Sequence, residues 1–247
     1  MNFWVILPAL PVASLWVAYV QSNFMGRSIV LIQIVMSIVV WSIMVGKWQE
    51  LRMMYLVARR FRKVFDNTHD VLEIYLQQRR SDNPMAPVYQ AACEKLVRSF
   101  SPEPRDVVVA GRHEALGGRG LTARELTLVK GATEQALAEQ LARIERGMNL
   151  LATGATSAPL LGLLGTVWGL LDAFQEMAGS GSAMLAEVAP GISSAMLTTV
   201  VGLLVAIPST IGYNALLGRV RVLSIELDGF TDELLGRISC EYQGRDA

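Results

Sequence analysis

The chain is 247 residues long, 52% hydrophobic and only 18% charged, with a mean hydropathy of +0.36. That is too apolar for an ordinary soluble domain and points to membrane spans separated by polar segments. The formal net charge of zero conceals an uneven distribution: Met1–Gly26, Ser28–Gly46, Gly147–Leu171 and Val188–Gly218 carry no charge, over 26, 19, 25 and 31 residues.

About 20 apolar residues cross the hydrocarbon core as a helix, so the last three stretches are long enough. The first, Phe3–Val20, is interrupted by Pro8 and Pro11 and lacks the basic region of a signal peptide. We read residues 1–27 as an outer, periplasmic segment with an interfacial helix, its Trp4, Trp16 and Tyr19 at headgroup depth, with a full span over 3–20 as the alternative. Transmembrane helices are predicted at 28–46, 147–178 and 188–218.

Basic residues orient these spans. Of the 22 Lys and Arg, 17 lie between Lys47 and Arg146 and four after Gly218. The excess of basic residues in cytoplasmic loops then places 47–146 and 219–247 inside, 179–187 as a short periplasmic loop, and the N-terminus outside. Lys47, Arg52, Arg59, Arg60, Arg62 and Lys63 would stand at the headgroups of anionic lipid. No aromatic stacking platform accompanies them, so no nucleic-acid partner is expected. Cys93 and Cys240 would both face a reducing compartment, which argues against a disulfide.

The segment 47–146 breaks at SDNPMAPV, at SPEP and at GGRG. Thr122 followed by Glu125 predicts a capping box, and Leu126, Val129, Leu137, Ile144 and Met148 follow at helical spacing. After the third span, Leu223, Leu227, Phe230 and Leu234 repeat at intervals of 4, 3 and 4. These amphipathic extensions predict a helical cytoplasmic domain, and the whole reads as an all-α integral membrane protein.

Catalytic signals are absent. His69 and His113 are the only histidines, neither has metal-site spacing, and no nucleophile elbow or phosphate loop occurs. No cofactor, no metal and no enzyme activity is expected. The membrane helices carry more: Gly154, Ala158, Gly162, Gly165 and Gly169 form a small-residue stripe in the second span, which suits close backbone approach in lipid. In the third, Ala195, Thr199, Gly202, Ala206, Ser209 and Tyr213 share a face, with Ser194 and Thr198 beside it. Facing Thr156, Ser157 and Thr166, those hydroxyls predict a weakly polar lining, against the competing reading that each bonds back to its own helix. Neither uncharged stretch offers Asp, Glu, His, Lys or Arg, so a conducted proton would need an intramembrane carboxylate from a partner.

The run GLLGTVWGLLDAF (Gly162–Phe174), followed by VAPGISSAMLTTVVGLLVAIPSTIGYNAL (Val188–Leu216), closely resembles the MotA/TolQ/ExbB proton channel family, nearest its TolQ and ExbB branch. The likeness is specific over about 148–217, weaker around Trp41 and slight in the cytoplasmic loop. It implies a homo-oligomeric ring of five copies in the bacterial inner membrane around single-span partners of TolR or ExbD type, each with an intramembrane Asp. It also implies proton flow coupled to work at the envelope: maintenance, outer-membrane uptake or gliding. The two family threonines fall at Thr166 and Thr199, the implied proton path, with Gly162, Gly165, Gly169 and Gly202 keeping the helices close. Ser194, Pro190, Ser209 and Tyr213 are expected to face the partner, with Pro190 at a helix start and Pro208 at a bend. Where the TolQ and ExbB branch reads A-P-G-I-A-E-A-L, this chain reads APGISSAM, so the family Glu is replaced by Ser194. A passive assembly scaffold and a solute-transporter subunit remain the alternatives, although broken-helix repeats and midplane charges typical of transporters are not evident.

Overall fold

Among the described residues, strong helix formers and long apolar runs translate into five helices: α1 (Phe24–Asp66), α2 (Met85–Phe100), α3 (Ala123–Glu145), α4 (Met148–Ser180) and α5 (Leu185–Tyr242). The computed structural model describes residues 16, 18–20, 22–68, 70–72, 74–75, 83–100, 120–180 and 185–242, without the side chains of 180 and 185–187. Most of Phe3–Val20, both histidines, SPEP and nearly all of GGRG therefore lie outside the described residues. No strand occurs among those described. The fold is all-α, and α1, the α3–α4 stretch and α5 are each long and apolar enough to cross a membrane. Between α3 and α4 the backbone turns at Gly147, whose φ of +85° is a conformation that side chains disfavour and glycine adopts freely.

The chain divides into two compact units. The first comprises residues 1–47 and 147–216. Its buried positions are small or polar as often as large: Ala155, Ala158, Ala195, Thr198, Ala206 and Ser209 are all buried. Its outward positions are large and apolar, among them Ile38, Leu160, Leu163, Val167, Leu204 and Ile211. This inversion of the soluble pattern is what a lipid solvent selects: bulk faces the acyl chains, and small residues let backbones approach.

The second unit comprises residues 48–146 and 217–247 and has a conventional core. Leu51, Met54, Ala58, Phe61 and Phe65 recur every three or four residues on α1, and all are buried. On α5 the predicted Leu223, Leu227, Phe230 and Leu234 are buried too, and the same face continues through Ile238 and Tyr242. Phe61 and Phe65 meet the Phe230 ring edge-on at centroid distances of 5.7 and 5.1 Å, and Tyr89 of α2 meets both phenylalanines from another side. Such edge-to-face pairs add about 0.5–1.5 kcal/mol each beyond area burial. At the end of α1, Arg237 donates to the carbonyls of Phe65 (3.1 Å) and Thr68 (3.3 Å) while pairing with Glu233 at 2.8 Å. A cation there satisfies orphan carbonyls at the negative end of the helix dipole. The capping box at α3 forms as its spacing predicts: Thr122 Oγ1 accepts from Glu125 N–H, and the Glu125 carboxylate accepts from Thr122 N–H.

Both cysteines are free thiols, Cys93 buried and Cys240 exposed. Burial pushes the Cys93 thiol up to about 12; a hydrogen bond with Tyr89 opposes the rise and the Asp70 carboxylate adds to it. The folded state therefore holds this proton more tightly than the unfolded chain. Its stabilisation is complete below the ordinary thiol value of about 8.5 and is lost as pH rises from there through about 12, at up to about 1.4 kcal/mol per pH unit. Maleimide at pH 7.5 is expected to label Cys240 and to spare Cys93 until denaturant unfolds the second unit. Peptide mass spectrometry distinguishes the two, and Cys93→Ala should flatten the alkaline loss of stability.

Candidate functional site: a threonine seam between α4 and α5

Three hydroxyls converge on one backbone carbonyl. Gly162 O of α4 accepts from Thr166 Oγ1 (2.9 Å) one turn along the same helix, and from Thr198 Oγ1 and Thr199 Oγ1 of α5, each at 3.0 Å. Thr166 and Thr199 also lie 2.5 Å apart, oxygen to oxygen, and either can donate. Thr198 has a second acceptor, Ala195 O, at 2.7 Å.

Counting protons gives this cluster its character. Each hydroxyl has one hydrogen to donate and two lone pairs to accept with. If Thr199 donates to Thr166, Thr166 donates to Gly162 O; reversing the pair lets Thr199 donate to Gly162 O instead. The two arrangements have the same bonds and opposite polarity. A hydroxyl pair of this kind can change direction without either side chain leaving its place.

Glycines set the spacing that makes this possible. A Cβ added to Gly162 would stand 2.8 Å from Thr198 O and from Thr199 Cα, and one on Gly169 would stand 2.6 Å from Ala195 Cβ. One on Gly165 would come within 2.7 Å of Thr198 Cβ. From the other side, a Cβ on Gly202 of α5 would lie 2.6 Å from Ala158 O. Real Cβ contacts do not approach so closely, so any side chain at these four positions forces the helices apart.

Other expected lining residues lie elsewhere. Thr156 and Ser157 bond back to Thr153 O of their own helix. Ser209 is buried but donates to Val205 O at 2.5 Å, and it stands ten residues from Thr199, about 15 Å along the helix. Half-buried Tyr213 is one turn farther still. Ser194 donates to Gly191 O at 2.9 Å. Pro190 needs a correction: α5 begins at Leu185, so Pro190 lies inside the helix, as do Pro208 and, in α4, Pro159.

Two polar residues that the sequence reading passed over belong to this unit. Gln33 of α1 is fully buried and donates to Ala158 O (3.3 Å) and Thr198 O (3.2 Å), joining all three long helices. Asp172 accepts from Asn23 Nδ2 at 2.9 Å and lines a narrow crevice with Ser22, Ser194, Gly165 and Gly169. It lies six residues from Thr166, about 9 Å of helix rise. A window that stops at Leu171 misses this carboxylate by one position. Among the described residues no group of His, Cys, Asp and Glu could hold a metal ion.

This seam coincides with the part of the chain that other proteins share. Residues 82–228 match the model of the MotA/TolQ/ExbB proton channel family. The chain belongs to that family. The Tol-Pal system protein TolQ of Haemophilus influenzae is 27% identical over 220 residues, 87% of this chain and 89% of that protein. The biopolymer transport protein ExbB of Xanthomonas campestris pv. campestris is 36% identical over 120 residues, 47% of each chain. TolQ of Pseudomonas aeruginosa is 38% identical over 105 residues, 42% of this chain and 46% of that one. Membership of the MotA/TolQ/ExbB family, with three long apolar helices, makes the chain a multi-pass inner-membrane protein.

The seam yields a direct packing test. Gly165→Ala is expected to destabilise the first unit by about 1–3 kcal/mol, the usual cost of overpacking. Gly46→Ala, where a Cβ meets nothing within 4 Å, should be neutral or stabilising. Thermal unfolding of the two variants in detergent or bilayers provides the comparison.

Proposed function

We propose that this chain is a ring subunit of an inner-membrane, proton-driven motor of TolQ or ExbB type, and not an enzyme. The observation that carries the reading is the Thr166–Thr199 pair: a reversible hydroxyl bridge in a seam whose uncharged stretches supply no Asp, Glu, His, Lys or Arg. Such a bridge can orient a proton but not bind one at the midplane. A single-span partner of TolR or ExbD type, with an intramembrane Asp, supplies that group. Five copies of this chain surround it, with Ser194, Pro190, Ser209 and Tyr213 toward the partner. The N-terminus is periplasmic, and residues 47–146 and the C-terminus are cytoplasmic, as the basic residues direct.

Each proton crossing 100 mV releases about 2.3 kcal/mol, which does work only if transfer is coupled to motion. Close packing at Gly162, Gly165, Gly169 and Gly202 keeps the seam too tight for a continuous water column, so a partner Asp must move past the threonines one subunit at a time. Without the partner the ring is closed and does not leak. The work is done at the cell envelope, as envelope maintenance, outer-membrane uptake or gliding.

Thr199→Ala and Thr166→Val are expected to abolish proton-driven output in cells while leaving the oligomer intact by native mass spectrometry. Normal output from both variants would rule out the threonine path, and loss of the oligomer in both would assign the hydroxyls to packing.

A further inference from the structure

The seam lies between α4 and α5, yet α1 sends one fully buried polar side chain into the same unit. Gln33 Nε2 donates to Ala158 O and Thr198 O, and its amide fills the space that Gly162 and Gly202 leave open. A Cβ at those glycines would come within 3.4 and 2.9 Å of Nε2. Both neighbours of that nitrogen are carbonyls, so the amide cannot be turned without setting oxygen against oxygen. The end left over is Oε1, which is buried and has no hydrogen-bond partner.

The hydroxyls of the seam are already committed. Thr166, Thr198 and Thr199 each have one hydrogen, and their acceptors are Gly162 O, Ala195 O and one another. A buried amide oxygen without a donor is strongly disfavoured, and a small exogenous donor is the usual remedy.

We propose that Gln33 Oε1 holds a water molecule beside the threonine seam, making α1 the third polar wall of the proton path. The water donates one O–H to Oε1. Its lone pair can take up a proton while its other O–H releases one; the water then turns about its bond to Oε1 to be ready for the next, and the amide is unchanged. The hydroxyl pair, once reversed, must likewise turn back before it passes a second proton. Gln33 is thus a positioning residue: it carries no charge and touches the transferred proton only through its water. The water's presence stands on the orphaned oxygen alone, and its role in conduction rests on the threonine path proposed above.

Water-edited solid-state NMR of the full chain in lipid bilayers, with labelled glutamine and alanine, tests the site directly. The Gln33 side-chain carbonyl, assigned by its loss in Gln33→Met, should gain signal from water as fast as exposed Gln49. Build-up no faster than that of buried Ala58, in the second unit, would overturn the site. Proton flux then tests the role, measured in proteoliposomes with the single-span protein that copurifies. Gln33→Met should lower flux at least tenfold with the oligomer intact. Wild-type flux in Gln33→Met, with flux lost in Thr199→Val, would overturn the role of the water and leave the threonine path standing. Wild-type flux in both would overturn the two together.

Discussion

The first unit depends on how closely α4 and α5 approach at Gly162. In a lipid solvent, helices gain little from burying apolar surface against each other, so contact must come from dispersion and interhelical hydrogen bonds. Both need short distances. With no Cβ at Gly162, Gly165 and Gly169, the backbone of α5 comes near enough for Thr198 and Thr199 to donate to a carbonyl of α4. The same closeness brings Thr166 and Thr199 together, and it leaves a slot at Gly162 and Gly202 that the Gln33 amide occupies. Packing and polar chemistry share one cause here: remove the glycine gaps and the hydroxyl cluster disperses with them.

The second unit obeys a different solvent. Phe61, Phe65, Tyr89 and Phe230 form an aromatic cluster of the kind that water drives together, and Arg237 closes the end of α1 through hydrogen bonds and the face of Phe65, 4.4 Å from its guanidinium carbon. Charged residues are frequent on its surface and small residues are not specially selected for its interior. One chain thus encodes two opposite burial rules, and the switch near Lys47 and Gly147 is visible as a change in which residue sizes recur at helical spacing.

That switch explains what could be read from the sequence. The three long helices, the capping box at Thr122 and the buried face Leu223–Leu234 follow from apolar length and period, which are local properties. The meeting of Thr166 with Thr199 was legible only through the family resemblance, since spacing puts Thr199 and Ser209 on one face equally well. Distance along the helix separates them: Ser209 is too far from Gly162 and bonds to its own helix instead. Gln33 was missed because a search for charge passes over a neutral amide, and its partners are carbonyls, which every residue has. Asp172 was missed because it stands one residue beyond an uncharged run. Pro190 was read as a helix start because proline suits a helix's first turn, but the helix begins five residues earlier, at Leu185.

The central claim is that the hydroxyls at the seam conduct and do not merely pack. Valine and threonine have nearly the same shape, and serine keeps the hydroxyl while losing a methyl group. Proton flux through the reconstituted complex, compared between Thr199→Ser and Thr199→Val under one imposed potential, separates chemistry from volume. Flux retained in the serine variant and lost in the valine variant is the expected result. Flux retained with valine, or lost equally in both, would contradict it.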